Sequence, residues 1–572
     1  MYKRCFIAIL ISFQVACGIN DNGNKSAKPL TGEITDLSDL KVQLSAALTD
    51  SLVLTLYSNK IIDDRNITEF VFDSNEKILA SAALIDSLDY QAENWRLNVI
   101  FSDDSMQELY AVGDRIFRAG QYEIQVDPTG FNPLSADANI SMPVPGRFQI
   151  KVLGRSEFGI PITHEFQQVS FDHDFPILGL YQNFENEVLF EYKSSRGNSL
   201  LSESFFLQTE TTPTPDVRVS INNLPSSDQG IFFNTDLKMG FDQRGEIRWI
   251  WTHPAHYVYR KLQNGNLIIS SNENMVIYHT RRFYEVTMLG EIIRTIETPN
   301  YQHHEIREMP NGNFLVASNS TPIQLGNGQN QEDYIIEYDR ETGTEINAFD
   351  FNEILDNQRP TIPGERAEDW LHMNAIFYDE ANDDLIISGR AQCAVVSLDY
   401  ATKELNWIIS NPAGWNGDLT SKLLSPVDEN GTPIDVSGTD FWPYGQHAAM
   451  TLPNGNILMY DNGRYRGYYD DSSVPADSYS RAIEYRVDPS NMTIRKIWEF
   501  NSNQSLFTPF TGDVDYLEEN GHKLISFMWG SGQTPRFFEL DENGEIIFEA
   551  SVNAGSNHYR MEKMDLYEGL TY

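Results

Sequence analysis

With 572 residues the chain is too long for one small domain, and its 41% hydrophobic and 12% aromatic content supplies real cores, which excludes a disordered polymer. Its formal net charge of −40 repels nucleic acid and anionic lipid headgroups. The same charge slows anionic substrates unless a site gathers positive charge locally.

Residues 1–16 read as an export signal. Lys3 and Arg4 precede a short apolar core, Phe6–Val15, which is too short for an ordinary membrane span. Ala16-Cys17-Gly18 resembles a bacterial lipoprotein cleavage box, which would leave Cys17 lipidated at the mature N-terminus. The expected location is the periplasmic side of a bacterial envelope membrane, held through that lipid alone. Residues 17–30 form a polar, flexible tether. Of three cysteines, Cys5 lies in the signal and Cys17 in the box, so no internal disulfide is available. The third, Cys393, sits in an apolar run and reads as a small buried hydrophobe.

Beyond the tether the chain shows short alternating runs separated by Asn-Gly and Pro turns, the pattern of an all-β protein. Residues 31–120 are an additional β-rich segment of unassigned role. Residues 121–222, with runs such as Phe148–Val152 and Val217–Ile221, read as a β-sandwich. A modest helix is expected around Glu353–Asn357.

Residues 223–572 carry a repeat. Leu262-Gln263-Asn264-Gly265-Asn266-Leu267-Ile268 recurs as Met309–Leu315 and as Leu452–Leu458, with degenerate copies at Tyr378–Ile387 and Tyr516–Ile525. Each hairpin is followed by a second, and two hairpins make the four strands of a propeller blade. Inner strands start near Tyr257, His304, His372, His447, Thr511 and His558. The last has no room for a full blade, so its missing strands are expected at Gly230–Lys238 and Gly245–Trp251. The fold expected is a six-bladed β-propeller closed by joining its two chain ends.

Inner strands line the channel of a propeller. A single histidine at a strand end is commonly structural, but His304, His372 and His447 repeat in phase, with His558 a fourth candidate. Reflection across the hairpins places Arg390 opposite His372, and Asn319 beside His304 and Asn462 beside His447, each expected to orient an imidazole; alternation puts Asn374 on the face of His372. His303 points away from His304. Imidazoles, an arginine and amides, with no carboxylate among them, suit a tetrahedral anion better than a metal. No metal and no cofactor are therefore expected. Trp370, Trp442 and Tyr444 either stack on an aromatic ligand or pack in the blades.

These residues lie in stretches that resemble the bacterial arylsulfate sulfotransferases: His304–Gly312, Asp369–Asn374, Ile387–Arg390, Gly445–Ala449, Asp461–Gly463 and Tyr479–Arg481. Asp174–Tyr181 is similar to that family's N-terminal β-domain. The resemblance spans about residues 121–572. It implies transfer of a sulfuryl group from an aryl sulfate to a phenol, without a nucleotide donor, through a sulfohistidine at His447. It also implies that His304, His372, Asn374 and Arg390 hold the sulfuryl oxygens. A histidine would protonate the leaving phenolate, with His304 and His372 equally eligible. Two other readings stay open: an aryl sulfate hydrolase using the same site, and a ligand-binding propeller without catalysis. The oligomeric state, a homodimer among the options, is not fixed by the sequence.

Overall fold

Alternating runs cut by turns every few residues favour strands over helices, and strands dominate the computed structural model of the chain. It describes residues 122–570 apart from 194–198, 257, 325–329, 471–477, 529–533 and 554–557; before Tyr122 it describes only scattered short strands. Cys17, the tether, most of 31–120 and all of the expected signal except Ile9–Leu10 lie outside the described residues. The chain divides into two compact units, residues 134–210 with the segment up to Pro128, and residues 211–570 with 129–133.

The first unit is organised by one strand, Ser135–Val152, that serves two sheets. Its first half pairs with Tyr122–Val126 and Ser170–Leu178, and its second with Ile162–Glu165 and Glu185–Lys193. The change of sheet falls at Pro143-Val144-Pro145-Gly146, where proline interrupts the ladder. A Cβ on Gly146 would meet the Lys193 carbonyl oxygen at 2.5 Å, so only glycine fits there. Glu185–Lys193 alternates between inward and outward residues, and its Phe190 and Tyr192 pack on Phe148 at ring distances of 6.0 and 4.7 Å.

The expected boundary at residue 222 is corrected to about 210. Asp216–Asn222 pairs with Ile546–Asn553 as a fifth, outer strand of a sheet in the second unit. The run Val217–Ile221 has the right alternation, but alternation says nothing about which sheet a strand joins. The helix also differs from its expected position: it is a single turn, Phe351–Ile354, capped by Asp350, whose carboxylate accepts from the Asn352 amide.

In the second unit the described sheets are antiparallel, save for one short parallel edge where Ser425–Pro426 joins Thr493–Phe500. Met561–Met564 pairs with Ile231–Asn234, which pairs with Met239–Phe241 and then Ile247–Ile250. Next comes a seven-stranded sheet from Val258–Lys261 to Glu345–Asp350, whose long strand Ile292–Glu308 breaks register between Gln302 and Ile306 and so belongs to two four-stranded sets. Three further sheets begin at Met373–Asp379, His447–Thr451 and Asp513–Leu517. The leading strands of successive sheets pack against one another. Between sheets lie continuous apolar clusters, such as Leu315, Ala317 and Ile335 against Ile376, Leu385 and Ile387.

The recurrent Asn-Gly turn has one structure three times. Leu262, Met309 and Leu452 donate to the carbonyls of Asn266, Asn313 and Asn456 at 2.7, 2.8 and 2.8 Å. Gly265, Gly312 and Gly455 sit at φ of 82°, 87° and 79°, a region glycine enters without strain.

Met561 is fully buried in the strand that joins the two ends of the unit. Met561→Ala should lower stability by about 3 kcal/mol in denaturant unfolding. Truncation after Tyr559 removes the strand and should leave a protease-sensitive chain without a cooperative transition.

Candidate active site

Four leading strands begin at a backbone kink. His304, His372, Ala448 and Thr511 adopt φ of 44°, 50°, 52° and 61°, each a non-glycine residue in left-handed backbone. Such residues cost on the order of 1 kcal/mol or more each and recur where the surroundings hold them in place. The kinks turn the chain into the strands Met373–Asp379, His447–Thr451 and Asp513–Leu517, and into the second half of Ile292–Glu308.

His447 is 3% exposed, and its Nδ1 lies 2.7 Å from Asn462 Oδ1. Both Asn462 Nδ2 hydrogens go to main-chain carbonyls, of Thr508 and Thr511, at 2.7 Å each. The amide oxygen must therefore face the imidazole, so Nδ1 carries the proton and Nε2 the lone pair. Burial first, and then the Arg390 charge, hold the His447 pKa well below 6.5, so the ring is neutral.

The neighbouring main chain is fixed as firmly. Asp461 accepts from the Tyr444 and Gly463 amides at 2.8 and 3.0 Å and from buried Arg481 at 2.9 Å. A Cβ on Gly463, at φ 71°, would meet the Tyr479 carbonyl at 2.4 Å. Gln446 donates to the Ala394 carbonyl at 2.9 Å, and its own carbonyl accepts from Asn374 Nδ2 at 2.8 Å. Cys393, its thiol pushed up to about 12 by burial, accepts from the Gly445 amide at 3.3 Å.

His304 and His372 have ring centres 4.8 Å apart. The Arg390 amide donates to the His372 carbonyl at 3.1 Å, the cross-hairpin placement expected from the sequence. Arg390 is 3% exposed; one guanidinium nitrogen donates to Glu365 at 3.0 Å, and Nη2 is buried without a hydrogen-bond partner. The ring of Tyr559 lies 5.5 Å from His304 and 6.0 Å from His447.

The expectation of no carboxylate is wrong. Glu332 is fully buried, with Oε2 at 3.2 Å from both His304 Nε2 and His372 Nδ1, neither pair in hydrogen-bond geometry. Its Oε1 accepts from the Tyr278 hydroxyl at 2.6 Å and lies 3.1 Å from His279 Nε2. Asp369 Oδ2 lies 2.7 Å from His372 Nδ1. These acids divide the histidines. Burial lowers His304 to about 4 despite Glu332. For His372 burial pulls downward too, but Asp369 and Glu332 together outweigh it, and its pKa is raised above 6.5.

Two further assignments are corrected. Asn319 does not orient an imidazole: its Nδ2 donates to the Asn300 carbonyl at 3.0 Å and its Oδ1 accepts from the Glu332 amide at 2.8 Å. His558 points elsewhere; its Nδ1 meets the Asn234 side chain at 3.0 Å, and the next residue, Tyr559, faces the histidines. Trp370, Trp442 and Tyr444 are at most 4% exposed within the blade cores, so packing is their role. His303 turns to the Ser318 carbonyl at 3.1 Å.

The reason given against a metal falls with the missing carboxylate. Among the described residues, three sets of side chains bring ligand atoms within 4.8 Å of one another: His303, His304 and Glu332; Glu332, Asp369 and His372; Asp513, Asp515 and Glu562. In the first two, the Glu332 carboxylate already faces imidazoles and a phenol.

Asn462→Leu removes the acceptor that fixes the His447 tautomer. Nitrogen-15 shifts of that ring should report Nδ1–H in the unmodified protein and a growing Nε2–H population in the variant.

The family model described as Arylsulfotransferase (ASST) matches residues 222–560, more than half of the 572-residue chain, and the one described as Arylsulfotransferase Ig-like domain matches 123–210. The protein named Arylsulfate sulfotransferase AssT from Escherichia coli O6:H1 is 24% identical over 558 residues, covering 77% of this chain and 92% of that protein. The protein of the same name from Lelliottia amnigena is 24% identical over 501 residues, covering 69% and 83%. Among solved structures, a quinonprotein alcohol dehydrogenase-like protein from Bacteroides thetaiotaomicron aligns at 8% identity and a TM-score of 0.30, over 73% of this chain and 90% of its own. Likeness of that degree carries no weight for fold or function.

Proposed function

The chain belongs to the arylsulfotransferase family, and from that premise we propose that it is an enzyme carrying a sulfuryl group from an aryl sulfate to a phenol, by way of His447. The observation that carries the assignment is the tautomer of that residue. With Nδ1–H tied to Asn462 and the ring neutral, Nε2 presents a lone pair.

In the first half-reaction Nε2 attacks sulfur as the sulfur–aryl oxygen bond breaks. The bonding electrons leave on the phenolate, which takes a proton from His372. In the second half-reaction an acceptor phenol returns that proton to His372, its oxygen attacks sulfur, and the Nε2–sulfur electrons go back to His447. The raised pKa of His372 favours it over His304 as the acid. The unpaired Nη2 of Arg390 supplies a donor for the sulfuryl oxygens, whose stabilisation is the main demand of such a transfer. Asn374 holds the main chain at Gln446 next to the nucleophile. Lys3, Arg4, the apolar core and Cys17 support the export and lipid anchoring of this activity.

Mixing the protein with an aryl sulfate and no acceptor should add one sulfuryl mass, mapping to His447; an adduct elsewhere, or none, defeats the assignment. His447→Ala should lose transfer almost completely while keeping its fold. Release of phenolate that does not respond to added acceptor phenol would instead identify a hydrolase.

The charge states set a pH dependence. His447 must be neutral and titrates well below 6.5, whereas His372 must be protonated and titrates above it. The kcat/KM profile should be a bell whose plateau includes pH 6.5, falling on the acid side as His447 gains a proton and on the alkaline side as His372 loses one.

A further inference from the structure

We propose that Glu332 is a positioning residue that, together with Asp369, holds the site's positive charge on His372. This rests on the sulfuryl-transfer reading for its consequence, but its physical content is independent of it.

Glu332 is clamped through its main chain. Its residue adopts φ 59°, its amide donates to Asn319 Oδ1 at 2.8 Å, and its carbonyl accepts from the Met373 amide at 3.1 Å, directly beside His372. The carboxylate is thus delivered to one place, with no solvent contact. The titratable groups around it come from separate segments of the chain. Tyr278 and His279 reach Oε1 from the turn after Ser270, His304 reaches Oε2 from the long strand with His303 behind it, and His372 reaches Oε2 with Asp369 on its far side. Arg390, paired with Glu365, follows His372 across its hairpin.

These contacts are unequal. His279 and His304 see one carboxylate, and share it; His372 sees two, at 3.2 and 2.7 Å. A proton entering the group is therefore most stable on His372. Asp369 alone is a weaker anchor, since burial and the Glu332 charge push its own carboxyl upward. Glu332 in turn is held well below the usual carboxylate range: burial opposes ionisation, and the charge of His372 and the close approach of His279 and His304 overcome it. A carboxylate that stays ionised is a fixed charge, which is what placing a proton on its neighbour requires.

The test begins with the unmodified protein. Ring nitrogen-15 titrations, with His304 and His372 assigned from spectra of His304→Gln and His372→Gln, should show His372 cationic and His304 neutral at pH 6.5. The reverse order overturns the proposal. In Glu332→Gln the His372 midpoint should move to lower pH; an unmoved midpoint, with collapse only in Asp369→Asn, also overturns it. For transfer, Glu332→Gln should lose on the order of 10²-fold with phenyl sulfate, whose leaving group needs a proton, and far less with 4-nitrophenyl sulfate, whose leaving group does not. Equal losses with both donors would mean a merely structural role. If the unmodified protein transfers from neither donor, the sulfuryl-transfer reading fails while the titrations still decide where the charge sits.

Discussion

The pairing of Ile231–Asn234 with Met561–Met564 is the constraint on which the second unit depends. Each leading strand has a hydrogen-bonded partner on one side only, and its other side faces its counterparts in neighbouring sheets. Such an arrangement is stable when no sheet is left with an open flank, and antiparallel meanders manage this by closing the series. Here the residues that close it come from opposite ends of the unit. The site inherits that dependence, because its side chains stand at the heads of different strands and are brought together only when the sheets are in register.

Within the site, electrostatics are balanced locally despite a chain of net charge −40. Arg390 faces Glu365, and His372 faces Asp369 and Glu332. His304 is neutral because burial outweighs Glu332, His447 is neutral because burial and the Arg390 charge act together, and His372 is charged because two acids outweigh burial. In the proposed reaction the same side chain therefore serves as nucleophile in one position and acid in another, with environment making the difference. Left-handed backbone at His304 and His372 is part of that arrangement, since it turns each ring at the head of its strand.

Much of this was legible because repetition exposes register. The Asn-Gly turns share one register, which locates the strand heads and with them His304, His372, His447, the placement of Arg390 across from His372, and Asn462 against His447. Reflection across a hairpin failed for Asn319, where the kink at Tyr301 and His304 breaks the register and the amide turns to main chain instead. The phase of the repeat slips by one residue at His558, where the strand proper starts only at Met561. Glu332 was invisible for another reason: in Asn330-Gln331-Glu332-Asp333 it looks like any polar turn, and only tertiary folding buries it. Asp369 left a faint trace, three residues ahead of His372 outside any helix, a spacing that brings carboxylate and imidazole together in a tight turn.

Tyr559 lies within the last dozen or so residues of the described chain, yet its ring stands between His304 and His447, and its hydroxyl donates to the Asn374 carbonyl at 3.2 Å. One ring thus touches imidazoles from two different strands, and it sits two residues ahead of Met561–Met564, the strand that closes the second unit. The pocket is therefore complete only while that closure is made. Fraying of the closing strand and loss of the pocket are one event, which ties the integrity of the site to the local unfolding of the unit.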